Sequence, residues 1–258
     1  MEMPWFMWKG ELSPDRGVTV GEYPPVARAG LRAERVRLPG RCGSLTLPGA
    51  AYDPVTVAMT VLVMPGTPPE TVLAWLSGEG ELILGNDPRR SRRAMMREPL
   101  CLRELPGGWF GGEARFECQP LKAQVPPEGD IALTAAEWGS GEWEGVYNPG
   151  DVTARPVFRL EGTGCLTLTW DLPGRTDPPR LTVDLRDAAW AACGGAVFDS
   201  GTLRVTTPDG AAGLDGVSRL ENGEAEDFGL KPGRTRLIPA STGGSVGRLT
   251  LTPRWRWL

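Results

Sequence analysis

Glycine and proline punctuate this chain from end to end, 35 and 25 of them in 258 residues, always between short apolar runs and never as a low-complexity block. Glycine opens the left-handed turn conformations and proline removes a backbone donor, so each tends to end a regular element. A chain interrupted this often builds many short strands and few helices. Its length suits one large core or two medium ones, and two domains are expected.

The period along the apolar runs is two. In Asp53 to Met64, DPVTVAMTVLVM, Val55, Val57, Met59, Val61 and Val63 fall on one face and Thr56, Ala58 and Thr60 on the other, which predicts a strand buried on one side. Thr67-Pro68-Pro69-Glu70 has the form of a capping box, with Val72, Leu73, Trp75 and Leu76 at helical spacing and Gly78 as a stop. One helix of about ten residues is predicted there. Strand resumes at Glu81 to Leu84, Gly85 to Pro88 turns the chain, and Arg89 to Leu105 reads as an extended basic segment. After Pro106-Gly107-Gly108, Phe110, Ala114, Phe116 and Cys118 share one face of a last strand. The stretch PLKAQVPPEGD (120–130) reads as a connection, so the expected domains are 1–124 and 131–258 with 125–130 between them.

In the second half, Val157 to Leu160 and Cys165 to Trp170 flank Gly162-Thr163-Gly164 as a predicted hairpin, and Leu181 to Leu185 and Thr202 to Thr206 as further strands. Leu249, Leu251, Trp255 and Trp257 alternate with polar residues to the end, interrupted by Pro253, which suggests an edge strand or a bulge. Short strands with turns between them make this half a β-sandwich.

The chain has no histidine, which removes Ser-His-Asp and Cys-His nucleophile systems and imidazole-based zinc sites. Paired acids survive that exclusion, and Glu142 with Glu144, or Asp184 with Asp187, are the glycosidase candidates to weigh. Five widely spaced cysteines form no Cys-x-x-Cys and read as reduced, mostly buried thiols. No apolar run reaches a membrane span and the start lacks the form of a signal peptide, so a cytoplasmic site of synthesis is expected. The net charge of -4 argues against general nucleic-acid binding. It divides unevenly, with 15 Lys and Arg against 14 Asp and Glu over 1–124 and 13 against 18 beyond.

Two groups suggest contact with other subunits. Arg89, Arg90, Arg92, Arg93 and Arg97 form a basic cluster suited to an acidic partner or to plain solvation, with no interleaved aromatics of the kind single-strand binders use. Trp5, Phe6 and Trp8 make an apolar start that needs burial, either in the domain's own core or against a neighbour. Trp138 and Trp143 offer either a sugar-stacking platform or packing of a turn.

In order and spacing, these segments resemble the distal tail proteins of phages with long, non-contractile tails. The resemblance rests on WFMWKG, SPDRGVTV, RLPGRCGSLTL, AWLSGEGEL, GNDPRRSRRA and RFECQP in the first half, and on Asn148-Pro149-Gly150, ARPVFRLEGTG, LKPGRTRL and PRWRWL in the second. It implies a mostly β chain: an N-terminal β-barrel or sandwich with one short helix and an extended arm, then a galectin-like β-sandwich. It further implies a non-enzymatic, cofactor-free virion protein of the tail tip, assembled in the host cytoplasm, whose N-terminal domain closes a hexameric ring. Its implied partners are copies of itself, the tail tube protein, the tail-tip or tail-associated protein and receptor-binding proteins, with DNA only in transit and no membrane. The galectin sugar site uses a histidine that this chain lacks, so the fold label does not carry sugar binding with it. A carbohydrate-binding module acting through Trp138 or Trp143 is the alternative, and a two-carboxylate glycosidase the third reading.

With only dispersed thiols and surface carboxylates to offer a metal, the chain is expected to melt at the same temperature with EDTA or with added zinc. A shift of several degrees in a calorimetric scan contradicts this.

Overall fold

The computed structural model describes residues 3–36, 42, 45–139 and 145–258. The chain falls into two compact units, Met1–Val125 with Leu258, and Pro126–Trp257. It is mostly β throughout.

The strands of unit 1 are β1 (Phe6–Trp8), β2 (Glu11–Leu12), β3 (Val18–Glu22), β4 (Leu31–Val36), β5 (Leu45–Tyr52), β6 (Val55–Val63), β7 (Gly78–Leu84), β8 (Asp87–Met96), β9 (Arg103–Leu105), β10 (Trp109–Cys118) and β11 (Lys122–Gln124). The main sheet runs β2-β1-β7-β8-β10-β6-β3, with β9 beside β10 and β11 beside β8. Its longest ladder joins β6 to β10 from Val55↔Cys118 to Val63↔Phe110. The sheet curls back on itself where the Pro4 carbonyl, just ahead of β1, accepts the Val20 N–H at 3.1 Å and the Thr19 hydroxyl at 2.8 Å. Phe6, Trp8, Val61, Val63, Ala114, Phe116 and Cys118 fill the inside with no exposed surface.

The alternation of β6 is borne out, with Val55 through Val63 buried at every second position and Thr56 and Thr60 exposed. The helix is shorter than its spacing predicts: α1 spans Pro69–Trp75 and its N-cap is Pro68, one residue beyond Thr67. Proline offers no side-chain oxygen, so the expected capping box does not form. The Thr71 hydroxyl donates back to the Pro68 carbonyl at 2.7 Å instead.

Two further expectations are corrected here. Most of the basic segment is not an arm, because Asp87–Met96 is β8, an interior strand with β7 on one side and β10 and β11 on the other. The connection at 120–130 begins as sheet, since β11 pairs Ala123 with Ser91 and Gln124 with Arg90. An extension does exist elsewhere: β4 and β5 pair only with each other among the described residues, as a ribbon separate from the main sheet.

Unit 2 contains β12 (Ile131–Thr134), β13 (Val146–Asn148), β14 (Val157–Gly162), β15 (Cys165–Asp171), β16 (Arg180–Asp184), β17 (Gly195–Asp199), β18 (Arg204–Thr206), β19 (Ser218–Glu221), β20 (Gly233–Thr242), β21 (Val246–Thr252) and the two-residue β22 (Arg256–Trp257). Ten of these make two antiparallel sheets, β12-β21-β14-β17-β18 and β13-β20-β15-β16-β19, facing each other as a sandwich. Trp170 is the hub between them, its ring meeting those of Phe158 and Phe228 at 5.3 Å and Phe198 at 6.0 Å. A short helix, α2 (Ala135–Gly139), follows β12, and Glu137 accepts the Thr134 N–H at 2.6 Å across its first turn.

The predicted hairpin at 162–164 is instead a corner between sheets, because β14 pairs with β17 and β21 whereas β15 pairs with β16 and β20. Glycine is required at this corner. Gly164 has φ of +85°, and a Cβ on Gly162 would lie 2.3 Å from the Ser245 carbonyl oxygen. Pro253 marks neither an edge nor a bulge: β21 has β12 and β14 on its two sides, and the proline simply ends it. At Pro239, β15 is the strand that pairs with β20 among the described residues, and β13 pairs with β20 from Gly233 to Thr235. The cysteines are all free as expected, but only Cys118 is buried, and Cys42 and Cys101 are exposed.

Trp255 is 3% exposed and belongs to the unit 2 core, whereas Trp257 is only partly buried and Arg254 pairs with Asp199 at the surface at 3.2 Å. Trp255→Ala is therefore expected to cost about 3–5 kcal/mol in denaturant titration. Trp257→Ala should cost less and Arg254→Ala about 0–1 kcal/mol. Equal losses for all three would contradict the burial order.

Candidate functional site

Strand parity divides the arginine cluster. Arg89, Arg93 and Arg97 are exposed, while Arg92 lies on the parity of Ala94 and Met96, which point into the core, and is 9% exposed. Arg90 shares that inward parity, is half-buried and lies 3.9 Å from Asp87. Outside, Arg93 pairs with Glu79 at 3.5 Å and Arg97 with Glu117 at 2.9 Å, in geometries open to solvent. Exposed pairs of this kind contribute about 0–1 kcal/mol, so they hold the side chains only loosely. Five charges that the sequence presents as one patch are thus two groups on opposite faces of a strand.

The aromatic start is used within its own unit. Phe6 stacks on Trp75 at 5.5 Å, Trp8 packs on Phe116 at 5.0 Å, and the Trp8 indole N–H donates to the Trp75 carbonyl at 3.1 Å. Phe6 and Trp8 have no exposed surface, so the core is the alternative that the structure favours for both. Trp5 is half-buried, its N–H donating to the Tyr23 hydroxyl at 3.0 Å and its carbonyl accepting the Gly85 N–H at 2.9 Å. Of the three, Trp5 alone keeps surface for a neighbour.

Of the paired acids, Asp184 is committed to an ion pair. The Arg186 guanidinium donates to it at 2.8 Å and the Arg186 backbone N–H at 3.1 Å, which together hold its pKa at about 2. A carboxyl that acidic cannot protonate a leaving group near neutral pH. Asp187 accepts the Ala189 N–H at 2.9 Å in a turn. Glu142, Glu144 and Trp143 lie outside the described residues, as does the side chain of Trp138 at the end of α2. Among the described residues, no three His, Cys, Asp or Glu side chains gather into a metal site, and no helix is long and apolar enough to cross a membrane.

Sequence reading missed a cavity of about 310 Å³ on the inward face of β6, β7 and β8, under Pro24, Pro25 and Val26. Arg90, Arg92 and Lys122 line it together with Asp87. The alternation Arg90, Arg92, Ala94, Met96 is the signal that would have found it, once 87–96 is taken as a strand.

No family model matches the chain. No curated protein matches it either. Among solved structures it is similar to the Dit protein (gp 19.1) of SPP1, described as a paradigm of the hub adsorption apparatus in phages that infect Gram-positive bacteria. The two superpose over the whole of both chains with a TM-score of 0.72 at 16% identity, so they share one fold from end to end.

Burial on the inner face pushes the Cys118 thiol up to about 11, with nearby Arg92 offsetting part of the rise. Iodoacetamide at pH 8 is therefore expected to label exposed Cys101 and spare Cys118 in the folded chain, and to label both in denaturant. Equal labelling of the folded protein, read by peptide mass spectrometry, contradicts the packing described.

Proposed function

We propose that this chain is a structural protein of a phage tail tip, which assembles with copies of itself into a ring, a hexamer, joining the tail tube protein to the tail-tip and receptor-binding proteins. The observation that carries the reading is the shared fold with SPP1 Dit over the full length of both chains, since a two-unit β architecture of this order and size is a demanding match. In this reading unit 1 forms the ring through which DNA passes, and unit 2 faces outward as the docking domain. The virion is its place of action, after assembly in the host cytoplasm.

Charge supports that division of roles. Residues 1–124 are nearly neutral, with 15 basic against 14 acidic side chains, so copies packed side by side repel little. Residues 125–258 carry 13 against 18, a surplus of five negative charges per copy that favours wide spacing on the outside. Subunit contact in unit 1 is assigned to Arg89, Arg93 and Arg97, with Trp5 as the aromatic contribution. A closed ring needs a head-to-tail interface, in which a basic surface on one copy meets a different surface on the next.

Purified protein at micromolar concentration is expected to show rings in negative stain, with a mass six times the 27.8 kDa of one chain. The triple variant Arg89→Glu, Arg93→Glu, Arg97→Glu should keep its circular dichroism spectrum and melting profile and lose the rings. Monomers from the unaltered chain would overturn the proposal. Rings that survive the triple variant with unchanged salt dependence would return these arginines to a solvated face.

A further inference from the structure

The cavity of unit 1 has apolar walls of Val55, Val57, Leu82 and Leu84 and a cationic floor. Arg92 is 9% exposed, and its Nε finds no hydrogen-bond partner among the described residues. Among the described residues the one carboxylate in the cavity wall, Asp87, is engaged by Lys122 at 2.8 Å and by Arg90 at 3.9 Å. Among the described residues the four ionisable groups of the wall carry three positive charges against one negative.

A guanidinium taken out of water without a compensating acceptor is costly, and folded proteins seldom keep one unless something completes it. Its planar fork matches a carboxylate through two parallel hydrogen bonds. The walls select further, because an aliphatic lining suits a carboxylate on an apolar stem better than a bare, strongly hydrated anion. At about 310 Å³ the space is on the scale of a small ligand or a short side-chain group. The mouth is apolar too, for Val26 on its rim is 96% exposed.

We propose that this cavity is a docking pocket for an acidic peptide segment of a partner protein, whose Glu or Asp carboxylate is received by Arg92 while the flanking apolar side chains cover Val26 and the rim. The pocket lies wholly within unit 1, and its occupancy does not depend on whether the chain forms rings.

Calorimetric titration of the full chain with acetyl-Leu-Glu-Leu-amide, acetyl-Leu-Gln-Leu-amide, hexanoate and inorganic phosphate tests this. The Glu peptide should bind about tenfold or more tightly than its Gln counterpart, the scale of one charge-assisted bidentate contact. Arg92→Met should erase that difference and leave the melting temperature of the free protein equal or higher, because it removes a buried guanidinium whose Nε has no partner among the described residues. Arg92→Lys keeps the charge without the fork and should retain a reduced preference, which reads the same point should the Met variant not fold. Equal binding of the Glu and Gln peptides, or an undiminished preference in Arg92→Met, overturns the proposal. So does a melting temperature of Arg92→Met several degrees below the unaltered chain, which would mean the guanidinium already has its partner inside the fold. Tighter binding of hexanoate or phosphate than of the Glu peptide would make this a small-anion site and overturn the peptide assignment.

Discussion

Unit 1 hangs on the ladder between β6 and β10, from Val55↔Cys118 to Val63↔Phe110. Strand side chains alternate with a strict period of two, so a slip of β6 by one residue would move Val57, Met59 and Val61 from core to solvent together, and a slip of β10 would do the same to Ala114 and Phe116. That collective cost fixes the register. The neighbours inherit it, with β3 paired to β6 and with β8 and β9 paired to β10. The parity of β8 then decides which arginines turn outward to solvent and which turn inward to the cavity.

Unit 2 meets the same constraint with two faces in place of one curled sheet. Each sheet presents alternate residues to the other, and Trp170 with Phe158, Phe198 and Phe228 fills the space between them. Because β14 and β15 belong to different sheets, the chain must change layers at Gly162 to Gly164, where only glycine tolerates the approach of neighbouring carbonyls. The chemistry of the chain resides in surfaces: loosely held ion pairs outside, inside a buried guanidinium whose Nε has no partner among the described residues, and an acidic surplus in the second half.

Where apolar residues alone set the pattern, the fold was readable from the sequence. Val55 to Val63 and Ala114 to Cys118 announce both strand and buried face, and both are found as the spacing predicts. Reading failed at β8 because four arginines in five positions conceal a period of two that depends on Ala94 and Met96. It failed at Thr67 because the box residues are present one place too early for the helix that follows. A comparable signature, Thr134-Ala135-Ala136-Glu137, does open a helix, with Glu137 accepting from Thr134. The turn at 162–164 has the local chemistry of a hairpin, and only the packing of two sheets distinguishes it from a corner. Burial of Phe6 and Trp8 could not be separated from an interface by composition, since both uses demand the same apolar aromatics.

The proposed place of this chain in a tail tip is tested most directly by its position on an assembled particle. Immunogold labelling of tailed particles that contain the chain, viewed by electron microscopy, is predicted to place gold at the end of the tail distal to the capsid. Label spread along the tube, label at the capsid, or particles that carry none of the chain would contradict the account.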